Sequence, residues 1–252
     1  IYKVIQWYRV MQHFGPGPAE HQKHYDKKLD SSVSRTKRVI LEKALCNPWE
    51  WFCTFTISQD KYDRKDLITW RDNFTQWLRD QRKKGKPIQY LVVPERHKDG
   101  SWHAHGLFSG LDDSDLITFR QMDNQGYRTA EGRRLPRKLI NSEYRNWMPY
   151  MEKFGFCSFG KIRNHDATAF YVTKYISKSF LGDARRVGLN LYYCSQGLNR
   201  AEYYDSVYGP CPELNSYLQN HYEHCDTGFL TFQREPGDDP LLDILEQQAD
   251  KL

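Results

Sequence analysis

The chain has 252 residues, 39% hydrophobic and 15% aromatic, enough apolar side chain for a substantial core, which excludes a disordered or collagen-like polypeptide. Its net charge of +5 is unevenly placed: residues 235–252 hold six acidic residues and one lysine, so residues 1–234 carry about +10 by difference. That excess favours an anionic partner such as nucleic acid.

Residues 1–40 are polar, with turns at Gly15-Pro16-Gly17-Pro18, and read as an N-terminal arm. Ser32 or Ser34 is placed to cap a helix through Val39, Ile40, Leu41 and Leu45 that stops before Asn47-Pro48. Trp51 to Ile57 reads as a strand, with Thr54 and Thr56 on one face and Cys53, Phe55 and Ile57 on the other. Leu67, Trp70, Phe74, Trp77 and Leu78 recur at helical spacing, and a basic run containing Arg82, Lys83 and Lys84 follows. Ile88 to Val93 and Trp102 to Phe108 read as a hairpin, whose first strand is expected to end or bulge at Pro94.

Residues 110–150 read as an insertion of loops and short helix, with Arg133-Arg134-Leu135-Pro136-Arg137-Lys138 as its basic centre. Phe156 to Ile162 is expected as a strand and Asp166 to Phe180 as a helix closed by Gly182, with Phe170, Ile176 and Phe180 against the core. Leu191 to Ser195 is expected as a last core strand, and the acidic tail 235–252 lies outside a main domain of residues 41–234. This order implies an α+β fold: a central antiparallel sheet with helices on one face.

His103-Ala104-His105 carries two imidazoles on one face of a strand. If Lys98-Asp99-Gly100 is a three-residue turn with Gly100 in the left-handed region, Glu95 pairs across from His103 and diagonally to His105. The result is a two-His, one-carboxylate site for a divalent cation. A two-residue Asp99-Gly100 turn places Glu95 opposite Ala104, on the wrong face. His97, at the turn, is expected to be solvated.

Tyr171-Val-Thr-Lys174-Tyr175-Ile-Ser-Lys178 repeats Y-x-x-K, and on a helix those four residues form one stripe. The stripe is either an amphipathic surface face or a nucleophilic one, because a nearby cation makes a phenolate less costly and also neutralises a phosphate.

Together these residues resemble the HUH rolling-circle replication initiators, the Rep proteins of small bacteriophages and plasmids. Phe52 to Ile57 is similar to their first motif, Glu95 with His103-Ala104-His105 to their metal motif, and Tyr171 to Lys178 to their tyrosine motif. The resemblance spans about residues 50–200. It implies an RRM-like or ferredoxin-like sheet of about five strands. Glu95, His103 and His105 would hold Mg²⁺ or Mn²⁺, Tyr171 and Tyr175 would be nucleophiles, and Lys174 and Lys178 would assist at the scissile phosphate. The implied activity is site-specific nicking and joining of single-stranded origin DNA through a 5′-phosphotyrosine. Helicase and polymerase would be separate proteins, and the compartment a bacterial host's cytoplasm. Two rival readings remain: a relaxase or transposase of the same chemistry, and a non-enzymatic module that binds single-stranded nucleic acid.

Other signals read more blandly. Gly155 to Lys161 matches G-x-x-x-x-G-K, but Ile162 replaces the Ser or Thr that ligates magnesium, and Phe156 and Phe159 crowd the loop. A strand is expected there and no ATP site. Cys211, His221, His224 and Cys225 fit no familiar zinc spacing, and no two of the six cysteines form a C-x-x-C pair, so reduced thiols are expected. Arg82, Lys83, Lys84, Arg133, Arg134, Arg137 and Lys138 are candidate DNA contacts, with Trp70, Trp102 or Trp147 as stacking surfaces. Asp60, Asp63 and Asp66 read as loop and helix-start charges, and His165-Asp166 as a cap. No apolar run is long enough to span a membrane, and no secretory leader is legible.

Overall fold

Strict alternation along Trp51–Thr56, buried at Trp51, Cys53 and Phe55 and half-buried between them, gives a strand with two different faces. This strand sits inside a seven-stranded antiparallel sheet in a computed structural model that describes residues 2–5, 20–129, 132–175, 190–201 and 229–232. The chain divides into two compact units, residues 22–199 and residues 1–21 with 200–252. In the smaller unit, β1 (Tyr2–Ile5) and β9 (Phe229–Phe232) form an antiparallel ladder.

The larger unit begins in the helix α1 (Glu20–Leu45) and continues through β2 (Trp51–Thr56), α2 (Leu67–Lys83), β3 (Gln89–Arg96) and β4 (Trp102–Ser109). After a 3₁₀ turn come β5 (Leu116–Thr118), α3 (Phe119–Asn124), α4 (Arg137–Ile140), β6 (Arg145–Trp147) and α5 (Met148–Lys153). β7 (Cys157–Lys161), α6 (His165–Thr173) and β8 (Tyr193–Cys194) complete it. The sheet order is β5-β6-β7-β2-β4-β3-β8, and β4 lies between β2 and β3 as in a split βαβ unit.

The fold is α+β as expected, with seven strands where about five were anticipated. The two additional strands, β5 and β6, come from the stretch read as loops and short helix, and each has three residues. Elements that short carry no period for a sequence to display.

α2 buries Leu67, Trp70, Phe74, Trp77 and Leu78, the stripe its spacing predicted, and Asp66 caps it by accepting from the Thr69 N–H at 3.1 Å. Phe74 packs on Phe55 at 5.2 Å, and Tyr150 of α5 packs on the same ring at 4.7 Å, so α2 and α5 cover one face of the sheet. Each large apolar side chain buried there contributes roughly 1.5–3 kcal/mol. Trp70, Trp102 and Trp147 are 1%, 5% and 1% exposed, which removes all three as stacking surfaces for bases. Such flat apolar rings gain more from a core than from a wet groove.

Helices pack on both faces, not one: Tyr171 of α6 meets Phe52, whose side chain points away from Phe55. The sequence already contained the reason. On this second face Leu91, Val93 and Leu107 are also fully buried, so it needs a cover of its own.

α1 starts at Glu20, well before Ser32 or Ser34. Between Pro18 and Asn47 there is no proline or glycine, and straight-chain residues dominate, so the helix carries through the serines. Pro94 neither ends nor bulges β3, since it pairs with Ala104 in unbroken register. His97 N–H donates to the Ser101 carbonyl at 2.8 Å, which by alternation turns the Pro94 nitrogen towards β8. β8 pairs only with Leu91 and Val92, so no ladder acceptor stands where proline lacks its hydrogen. Cys157–Lys161 is a paired strand, as read from the sequence. Cys46, Cys53, Cys157 and Cys194 are free thiols, and no helix among the described residues is long and apolar enough to cross a membrane.

Candidate active site

The register of one hairpin decides whether the carboxylate and the imidazoles meet. Gly100 takes φ +84°, its N–H donates to the His97 carbonyl at 3.0 Å, and the His97–Ser101 pair closes a three-residue turn. Glu95 therefore pairs with His103, and Val93 with His105. The two-residue alternative is excluded, because Ala104 faces Pro94. From the other side β2 sets Thr54 against His105 and Thr56 against His103. Phe52, Thr54, Thr56, Glu95, His103 and His105 thus share one face.

His105 is the centre of that face. Its Nε2 lies 2.7 Å from Glu95 Oε2 and its Nδ1 lies 3.1 Å from Thr54 Oγ1. Both bonds fix the ring, leaving one nitrogen for the hydroxyl and one for the carboxylate. Among the described residues, no three His, Cys, Asp or Glu side chains converge on a common point, because Glu95 bonds directly to His105. His97 is exposed, as expected, but its ring also stacks on His103 at 4.1 Å. Thr54 and His97 are the functional neighbours that the motif reading passed over. Alternation alone placed Thr54 on the histidine face.

α6 brings the phenols. Its cap is Asn164, which accepts from the Ala167 N–H at 2.9 Å, and not His165 or Asp166. His165 Nε2 instead lies 2.9 Å from the Asn47 carbonyl. Asn47 also donates to the Lys43 and Asn199 carbonyls, so the end of α1 anchors the start of α6. The described helix stops at Thr173, whose hydroxyl donates back to the Phe170 carbonyl, and Lys174 and Tyr175 follow in a turn. Ala169 and Val172 are the buried residues of this helix; Phe170 is 43% exposed and does not reach the core. Ile176, Lys178, Phe180 and Gly182 lie outside the described residues.

Tyr175 stacks flat on His105, with centroids 3.8 Å apart and planes 11° apart. Tyr171 meets Tyr175 edge-on at 5.5 Å and Phe52 at 5.3 Å. Lys174 Nζ stands 3.4 Å from the Tyr171 ring centroid. Hydrogen bonding with Lys174 and then Tyr175 holds the Tyr171 phenol below its usual range, while burial pushes Tyr175 well above it.

Burial, reinforced by His97 and Arg64, pushes His103 down to about 4, and burial also lowers His105 against the pull of Glu95. Both rings are thus neutral in the folded chain at neutral pH, the form that ligates metals. Unfolding restores a value near 6.5, so between about pH 4 and 6.5 the unfolded chain binds more protons. Stability from His103 is therefore complete above about pH 6.5 and falls as pH drops towards 4, by on the order of 2 kcal/mol. Thermal midpoints measured across that range should fall with acid in the native chain and fall less in His103→Gln.

The basic candidates lie elsewhere. Arg82 and Lys83 end α2 and Lys84 caps it, beside the start of β3, about 20 Å along that strand from Glu95. Arg134 is paired with Asp123, with Nη2 to Oδ2 at 2.5 Å, and Arg133, Arg137 and Lys138 are exposed around α4. Leu135 and Ile140 pack with Phe119 and Met122 in a small separate core. The stretch holding Cys211, His221, His224 and Cys225 lies outside the described residues.

The model of the family Replication-associated protein ORF2 matches residues 50–180, just over half of the chain, from β2 through the tyrosine helix. No curated protein and no solved structure matches the chain.

Proposed function

The chain belongs to the Replication-associated protein ORF2 family, and from that premise we propose a metal-dependent, site-specific endonuclease and strand transferase acting on single-stranded DNA. Nicking an origin in this way initiates rolling-circle replication. The observation that carries the reading is the contact between two motifs far apart in sequence: Tyr175 stacks on His105 at 3.8 Å and touches Tyr171. A surface helix carrying tyrosines only for solubility has no reason to lay them on a His–Glu pair.

Glu95, His103 and His105 suit a divalent cation such as Mg²⁺ or Mn²⁺. The 2.7 Å between His105 Nε2 and Glu95 Oε2 is a few tenths short of the separation of about 3 Å between adjacent donors of an octahedral ion with bonds near 2.1 Å. Direct pairing keeps the His103 Cβ within about 5 Å of that of Glu95. When bound, the ion supplies charge neutralisation at the scissile phosphate oxygens.

The protein's own groups do the rest. The Tyr171 phenol is 44% exposed, beside Lys174, and gives up its proton to solvent more readily than free tyrosine. Its oxygen attacks phosphorus in line, forming an O–P bond as the P–O3′ bond breaks. The departing O3′ takes up a proton, and the 5′ phosphate stays on the tyrosine. Attack by a 3′-hydroxyl on that phosphotyrosine reverses the step and joins strands, so the bond energy is retained without a nucleotide cofactor. Lys174, with Lys178 as a second cation, neutralises the phosphate.

Mixing the chain with a pool of single-stranded oligonucleotides and Mn²⁺ should give a covalent adduct on a denaturing gel. The adduct should be absent from the double Tyr171→Phe, Tyr175→Phe variant. No adduct from any oligonucleotide, or an adduct that survives the double substitution, overturns the reading.

A further inference from the structure

We propose that Tyr144 is a stacking platform for a base flanking the scissile phosphate, an inference that rests on single-stranded DNA being the substrate. Ile68, Tyr144, Phe170 and Tyr171 are the large exposed apolar side chains among the described residues, and Tyr144 is 45% exposed. Its position is built, not incidental. A Cβ placed on Gly160 would stand 2.6 Å from Tyr144 Cε1 and 3.1 Å from Cδ1, so the ring rests directly on the backbone of β7. Glycine inside a paired strand is costly, and close approach of another group is the usual reason to keep one. Ser142 helps aim the residue, its hydroxyl accepting from the Tyr144 N–H at 3.2 Å.

The face on which Tyr144 lies follows from register. Cys157 and Phe159 of β7 are buried, and Phe159 touches Phe55 on the side covered by α2. Ser158 and Gly160 therefore point the other way, and their partners are Thr54 and Phe52. Tyr144 thus covers the sheet on the face of the catalytic cluster, one strand spacing of about 5 Å from Phe52. Phe52 in turn meets Tyr171 at 5.3 Å and His105 at 6.1 Å. Aromatic faces then run from Tyr144 through Phe52 to Tyr171, and the phosphate attacked by Tyr171 is within one nucleotide of the platform. An exposed aromatic face takes any base, because every base has a π-face, and its amphipathic hydroxyl tolerates water.

Fluorescence anisotropy with a labelled oligothymidylate of about 16 nucleotides, in chelator so that no strand is cut, tests this. Tyr144→Ala should bind about tenfold more weakly and Tyr144→Phe as the native chain does. Gly160→Ala should weaken binding by displacing the ring, yet add nothing in a Tyr144→Ala background. Equal binding by the native chain and Tyr144→Ala overturns the platform and leaves the nuclease reading standing. No binding by a native chain of intact circular dichroism overturns both.

Discussion

Tyr171→Phe should abolish the first covalent adduct, by at least about 10³-fold in single-turnover rate, while Tyr175→Phe should retain it within about tenfold. The two phenols lie four residues apart and look alike in sequence, but their surroundings separate them. Tyr171 stands in solvent with an ammonium group over its ring, and its phenolate is favoured. Tyr175 lies flat against His105 and is held neutral by burial. A group that must attack phosphorus needs both a free approach and an accessible anion, and Tyr171 has both. The rate of adduct formation should rise with pH to a plateau whose midpoint lies below the usual tyrosine value near 10. Lys174→Met removes the favouring charge, so the midpoint should move up. Adduct formation by Tyr171→Phe at the native rate, with loss in Tyr175→Phe, would reverse the assignment.

What the sequence disclosed follows the range of the interactions involved. The α2 stripe is a property of one helix, and all five residues predicted to be buried are buried. The hairpin was reduced to two registers by a three-residue choice, and a single torsion at Gly100 decided between them. Pairs brought together only by the path of the chain were not legible. Asn47 with His165, and Gly160 with Tyr144's ring, are consequences of topology, with no local pattern to announce them. The tryptophans misled for a physical reason. A side chain suited to stacking on a base is equally suited to stacking on Phe74, and the core is the larger apolar surface. The basic runs misled because charge reports solubility as readily as contact, and Arg134 spends its guanidinium on Asp123.

Glu95→Gln should lower Mn²⁺ affinity, read by calorimetry, by more than the 10–100-fold that changes next to a metal ligand produce, and adduct formation should fall with it. The residue suits the experiment because it stands near the end of β3 with its side chain 39% exposed, so little packing is lost. His105→Ala should be at least as severe but less clean, since it also strips Tyr175 of the ring it stacks on. Thr54→Val separates these effects. It keeps the shape of the β2 face but removes the oxygen that holds Nδ1, and so tests whether ring orientation matters apart from ring presence. A loss of about tenfold in Mn²⁺ affinity with unchanged thermal midpoint is expected for Thr54→Val. Unchanged Mn²⁺ affinity in Glu95→Gln would leave the Glu95–His105 contact as a hydrogen bond that orients the histidine beneath Tyr175, and the metal would have to be held by other residues. Excess chelator should block the adduct while sparing binding of single-stranded DNA, because phosphate contacts and stacking need no ion. The same face would then carry two separable functions. One is a grip on the strand made by aromatic surfaces, and the other a cut that requires Glu95, His103 and His105 together.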